Sequence, residues 1–214
     1  MKKLPQLLLF SFLAVFYPKV TLSQSFEGTI EFIKISPIDT VHFIYYIKNN
    51  KVRIDEIGYN KKIEKIVLVD LKELTAKSLS PERKLFMDVE RSNKESVKME
   101  GVSISKGKKT RNMVGYQCEE WVITKKNQNL QISYFIAKDN FSFFEEMLTS
   151  LNNKDKLSTF YQHLPDTKNA FPLYAIEADL QGKAKNTLEV KSINKMLLDH
   201  ALFNVPQDYK KLEK

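Results

Sequence analysis

Apolar and polar residues alternate with period two along most of this chain. In SFEGTIEFIKI, Phe26, Gly28, Ile30 and Phe32 share one face, with Glu27, Thr29 and Glu31 opposite. In TVHFIYYIKNNKVRIDEI, Val41, Phe43, Tyr45 and Ile47 alternate up to Asn49-Asn50. Val52 and Ile54 then alternate back. Asparagine tolerates the positive φ that a two-residue hairpin turn needs, so this stretch predicts a hairpin. KIEKIVLVDLKELTAKSLSPERKLFMDV predicts further strands, with Pro81 placed for a type I turn. SVKMEGVSIS is a weaker strand candidate. MVGYQCEEWVITK and NLQISYFIAK flank the turn signal KNQN. Alternation fails inside the first of these: Tyr116 and Cys118 share one face, Trp121 and Ile123 the other. An extra residue near Glu119-Glu120 would gather all four apolar groups on one side. The pattern therefore predicts a β-bulge there, with both glutamates outside and Cys118 inside.

The rhythm changes at residue 140. Phe141, Phe144, Leu148 and Leu151 recur at helical spacing, and Leu157, Phe160, Tyr161 and Leu164 repeat it. One broken helix or two short ones are expected over 140–164, ending before Pro165. Ser142 and Glu145 have capping-box spacing, with Asp139 or Asn140 as alternative caps. Period two returns in FPLYAIEADL and TLEVKSINKML, and HALFNVPQDYKKL reads as an apolar anchor broken by Pro206. Consecutive hairpins with one helical element predict an α+β fold. Its core would be a single curved, incompletely closed antiparallel sheet, a half-barrel, with the helical insertion covering its concave face.

The first residues change where this fold is expected to work. MKK, an apolar run from Leu7 to Tyr17 and a tail carrying Thr21 and Ser23 have the build of a signal peptide, residues 1–23, cleaved after Ser23. Residues 24–214 would then form one domain, periplasmic or secreted. The apolar run is too short to span a bilayer, and no cysteine near the cleavage site offers a lipid anchor. Cleavage removes three of the 34 Lys and Arg, leaving 31 against 26 Asp and Glu, so net charge falls from +8 to +5. The densest cationic stretch is SKGKKTR, 105–111. Lys106, Lys108, Lys109 and Arg111 there read as a solvated loop, or as a contact for an anionic head group at a membrane surface. Nucleic acid is not an expected partner of an exported chain.

Catalytic chemistry finds little support. Cys118, the sole cysteine, has no partner for an internal disulfide. Its neighbours Glu119 and Glu120 disfavour a thiolate, so it reads as a structural core residue. His42, His163 and His200 lie apart in sequence, with no HxxxH or CxxC spacing, so no metal site is expected. No cofactor motif appears. Glu119-Glu120 and Glu145-Glu146 are adjacent pairs rather than opposed acids and read as solvated surface. The aromatic supply is the stronger clue: fourteen Phe, nine Tyr and one Trp. Phe43, Tyr45, Tyr116, Trp121, Phe144 and Leu148 are the candidates to line a ligand cavity. The same side chains could equally fill the interior, and the pattern does not separate the two.

Four short motifs carry a resemblance: Phe26, Gly28 and Ile30; Gly115, Tyr116 and Cys118; Pro172 and Leu173; Phe203, Pro206 and Tyr209. In order and spacing they resemble a DUF4412-like family of exported proteins of unknown function from Gram-negative, Bacteroides-group bacteria. That family is in turn similar in architecture to periplasmic lipoprotein carriers and lipid-binding half-barrels. The resemblance implies a chain that holds an acyl chain or a hydrophobic partner; the expected role is a non-enzymatic periplasmic binding protein, monomeric, for a lipid or a lipidated partner. A structural or adaptor module of the cell envelope, with a filled core and a protein partner, is the alternative.

Overall fold

The computed structural model describes residues 25–90, 99–151 and 155–213. The expected export signal lies outside the described residues. The strands, in chain order, are β1 (Gly28–Ile35), β2 (Thr40–Lys48), β3 (Lys51–Ile57), β4 (Ile63–Asp70), β5 (Thr75–Ser80), β6 (Leu85–Val89), β7 (Val102–Met113), β8 (Tyr116–Lys125), β9 (Leu130–Lys138), β10 (Ala170–Ala178), β11 (Ala184–Lys195) and β12 (Lys210–Lys211). Two short helices, α1 (Phe143–Ser150) and α2 (Lys156–Tyr161), lie between β9 and β10.

All twelve strands form one sheet in the order β12-β6-β5-β4-β3-β2-β1-β11-β10-β9-β8-β7. It is two antiparallel meanders, β1 to β6 and β7 to β11, joined where β1 pairs with β11. The sheet is not closed into a barrel. Only β12 runs parallel to its neighbour, pairing Lys210 and Lys211 with Leu85 and Phe86 of β6. Turn chemistry follows the residues: Asn49 takes φ +51 between β2 and β3, and Asn129 takes the left-handed conformation before β9.

The alternation seen in the sequence sorts the faces. Ile30 (β1) pairs with Tyr45 (β2), which pairs with Ile54 (β3), which pairs with Val67 (β4). These point to the side on which α1 and α2 pack. The joint between the meanders is tight. A Cβ on Gly28, at φ +149, would sit 2.0 Å from the Asn194 carbonyl oxygen, so only glycine lets β1 and β11 approach here. Pro172 lies in an interior strand, where its missing N–H would break a ladder. The register of β10 shifts between Pro172 and Tyr174, and that irregularity is where the proline fits.

α1 and α2 pack through Phe143, Phe144, Met147, Leu148, Leu157, Phe160 and Tyr161, all buried. The Phe144 ring meets Phe171 of β10 at 4.5 Å and Tyr161 at 5.0 Å. Tyr134 donates from its hydroxyl to the Leu157 carbonyl at 2.7 Å, tying α2 to β9. α1 also lies against β4. β4 and β10 are five strand spacings apart, about 24 Å across a flat sheet, whereas eight helical residues reach only about 12 Å. The sheet therefore curves between β4 and β10. Two short helices are present, as the rhythm of 140–164 allowed, but the capping box does not form: the Ser142 side chain makes no capping hydrogen bond.

Two expectations are corrected. The predicted bulge at Glu119-Glu120 is absent: β8 runs in unbroken register with β9 from Cys118 to Lys125, and Glu120 is buried rather than outside. The register shift sits on the facing strand, between Lys106 and Thr110 of β7. Apolar residues occupy both faces here because both are partly covered. On one, the Arg111 guanidinium lies 4.2 Å from the Phe135 ring centre and 5.7 Å from that of Tyr174. The second correction concerns 105–111, which is not a loop. It is the middle of β7, an outermost strand of the sheet. A run of lysines without apolar alternation conceals a strand paired on one side only.

The tail 196–213 covers part of the sheet face opposite the helices. Arg53 donates to the Leu202 carbonyl at 3.2 Å, and Lys48 to that of Leu198 at 2.7 Å. Val205 and Tyr209 pack on Ile66, Leu68 and Leu79, a second apolar cluster.

Candidate functional site

Next to the area crossed by the tail, the same sheet face carries an open groove of about 620 Å3. Strand pairing builds its floor. Ile33 of β1 pairs with His42 of β2, which pairs with Ile57 of β3. One step along, Glu31 pairs with Ile44. Ile33, Ile44 and Ile57 are only partly covered, so an aliphatic surface remains open to solvent between polar neighbours. The hairpin loop between β3 and β4 supplies Gly58, Tyr59 and Lys61 to the wall. Its shape is set locally: the Gly58 N–H donates to the Lys62 carbonyl at 2.9 Å, and the Lys61 N–H donates back to Gly58. The Glu64 carboxyl folds onto Gly58, occupying the place a Cβ there would take.

Lys191 closes the opposite rim. It falls where the β1–β11 register shifts between Phe32↔Val190 and Glu31↔Ser192, so it has no partner residue in the ladder. Its ammonium pairs with Glu189 at 2.6 Å. Lys61, Lys191, His42 and Glu31 thus ring an apolar floor. This arrangement can hold an apolar chain by burial and orient a charged end.

The residues singled out from the sequence are distributed differently. Phe43 borders the groove, but its ring stacks on Phe32 at 5.1 Å on the helix side. Tyr45 meets Phe32 edge-on at 4.7 Å on the helix side, where burial pushes its hydroxyl pKa well up. Phe144 and Leu148 are buried in the core. Tyr116 packs on Phe141 at 5.5 Å, and Trp121 faces Tyr134 across β8 and β9. None of these last four lines the 620 Å3 groove or the smaller hollows of about 310 and 150 Å3. Cys118 is fully buried, and burial pushes its thiol up to about 11.

The four cations of β7 stay together on that strand, away from the groove. Lys106 pairs with Glu119 at 2.9 Å, and Arg111 is braced over Phe135 and Tyr174. Strands β8, β9 and β10 separate them from β11. The groove cations are instead Lys61 and Lys191. The signal for this site was present in IEFIKI: Ile33 and Ile35 are apolar on the face that Glu31 marks as polar. Among the described residues no group of three or more His, Cys, Asp or Glu is placed to hold a metal ion. No helix of the described residues is long and apolar enough to cross a membrane.

A family model described as "Domain of unknown function (DUF4412)" matches residues 26–209. No protein of curated function matches the chain. Among solved structures, an uncharacterised conserved protein from Thermus thermophilus is similar over 88% of this chain and 91% of its own, with 10% identity and a TM-score of 0.51. The MucA/MucB complex of Pseudomonas aeruginosa contains a chain similar over 87% of this one and 57% of its own, with 9% identity and a TM-score of 0.47. A putative outer membrane lipoprotein-sorting protein domain from Vibrio parahaemolyticus is similar over 83% of this chain and 88% of its own, with 11% identity and a TM-score of 0.31. The Thermus protein shares the fold; the two weaker likenesses carry nothing further.

Proposed function

The chain belongs to the DUF4412 family, and we propose that it is a non-enzymatic, exported, periplasmic binding protein whose ligand is an acyl chain or another slender apolar group. The observation that carries this reading is the 620 Å3 groove with its open floor of Ile33, Ile44 and Ile57. Its size falls within the usual range for ligand sites, about 300 to 1,000 Å3. Each methylene taken from water onto that floor contributes about 0.8 kcal/mol.

The interior beneath the helices is a weaker candidate for the same task. There Phe143, Phe144, Tyr161 and Phe171 pack ring against ring at 4.5 to 6.3 Å, so side chains fill that space. In this reading α1 and α2 sit in the hollow of the bent sheet as core, and binding takes place on the other face. The fully buried, high-pKa Cys118 supports a non-enzymatic role, because thiolate chemistry needs exposure and a depressed pKa.

The test is displacement of an environment-sensitive apolar fluorophore by a C16 fatty acid. The native chain should show saturable displacement. Ile44→Glu, which puts a carboxylate on the floor, should weaken it at least tenfold with little change in thermal stability. Equal displacement from both proteins would place any binding elsewhere.

A further inference from the structure

Two loops stand at one end of the sheet, and the second of them walls the groove. The β1–β2 loop, 36–39, and the β3–β4 loop, 58–62, lie at the same end of the sheet, because Thr40 opens β2 and Ile57 closes β3 opposite His42. Their centres are two strand spacings apart, about 10 Å. Each loop carries a large apolar residue almost wholly in water: Ile38 at 94% and Tyr59 at 107% relative exposure. A single exposed apolar side chain needs no explanation. Two at neighbouring tips, one of them on the wall of an apolar groove, form a pattern.

The charge around them has a sign. Lys61 and Lys62 follow Tyr59, both exposed, and the carboxyl of the next acid, Glu64, is folded back onto Gly58; Lys65, further along β4, sits across from Glu56. Asp39, the acid of the other loop, accepts the Thr40 N–H at 2.7 Å and so caps its own turn. Tyrosine suits the level of lipid head groups, with its ring in the apolar layer and its hydroxyl in water. Lysines beside it reach anionic phosphates.

We propose that these two hairpin tips dock the protein on an anionic lipid surface, with Ile38 and Tyr59 entering the head-group layer and Lys61 and Lys62 meeting phosphates. The groove then opens toward the bilayer, and an acyl chain passes between lipid and protein without crossing water. This last step rests on the groove being a ligand site; the docking itself does not. The contact is peripheral, because no more than two short loops enter the lipid. A polar protein partner is less well matched, since it would leave both apolar tips against polar surface.

The test is flotation of the full exported chain, residues 24–214, with vesicles of phosphatidylcholine alone or with 30% phosphatidylglycerol. Binding should require phosphatidylglycerol and fall with added salt. Ile38→Asp combined with Lys62→Glu should reduce vesicle binding at least tenfold. Neither residue lines the groove, so fluorophore displacement in solution should stay unchanged, which also shows that the double variant is folded. Ile44→Glu should give the opposite pair of results, with displacement lost and flotation kept. No flotation of the native chain, or flotation untouched by the double variant, overturns the docking and leaves the groove reading standing. Sedimentation showing that the native chain pairs through the tips, with Ile38→Asp restoring the monomer, assigns them to a second copy and overturns it as well.

Discussion

Glu27 shows how much one side chain at the seam of this sheet controls. Its carboxylate accepts from the Lys48 ammonium at 2.7 Å and from the Leu198 N–H at 2.9 Å, tying the start of β1 to β2 and to the tail. Those two bonds, the lysine first, hold its carboxyl below the usual value. A depressed folded-state pKa adds stability above the unfolded pKa of about 4.5 and loses it as pH falls through the folded value. Glu27→Gln should therefore cost about 1–3 kcal/mol at pH 7, and the gap to the native chain should narrow as pH falls below the unfolded value of 4.5 in denaturant titrations. Cys118 makes a second residue-scale case. Fully buried and raised to about 11, its thiol should stay unlabelled by a maleimide at pH 7.5 and react at once in guanidinium. Rapid native labelling would contradict the burial.

At the scale of elements, the tail is the piece whose removal is most informative. Phe203 is buried, and Val205 and Tyr209 pack on Ile66, Leu68 and Leu79. Each such side chain contributes about 1.5–3 kcal/mol when fully buried. Ending the chain at residue 199 should lower stability by about 3–6 kcal/mol and raise binding of a hydrophobic dye; an unchanged denaturant midpoint would show that the tail is not anchored. Here the sequence was informative in some places and silent in others, for physical reasons. The hairpin around Asn49 was legible because Val41, Phe43, Tyr45 and Ile47 of β2 and Val52 and Ile54 of β3 mark one apolar face; Ile44 and Tyr46 depart from the pattern on the other. The two helices were legible because their inward faces are aromatic and aliphatic at helical spacing. β7 was not legible. An outermost strand needs no apolar alternation, and lysines there deter pairing with another sheet edge. The register shift was placed on the wrong strand because β8 and β9 are covered on both sides near Phe135, by core on one and by Arg111 on the other. Alternation of burial no longer reports the face there.

The whole molecule is a bent sheet with two differently used faces. One is packed with the rings of α1 and α2; the other is crossed by the tail and left open over Ile33, Ile44 and Ile57. The sequence held every groove residue but not their meeting, because Lys191 joins Ile33 only through the β1–β11 pairing of strands more than 150 residues apart. The six cavity candidates were chosen for size and aromaticity, properties that also make good core, and five of them line other parts of the structure. The central claim is that an apolar ligand lies on the face opposite the helices. Its most direct test is photo-crosslinking with a diazirine fatty acid, followed by mapping of the labelled peptides. The account predicts label within 31–44 and 57–61, competed away by unlabelled fatty acid. Label concentrated in 140–164, or none above that of a scrambled control protein, would contradict it.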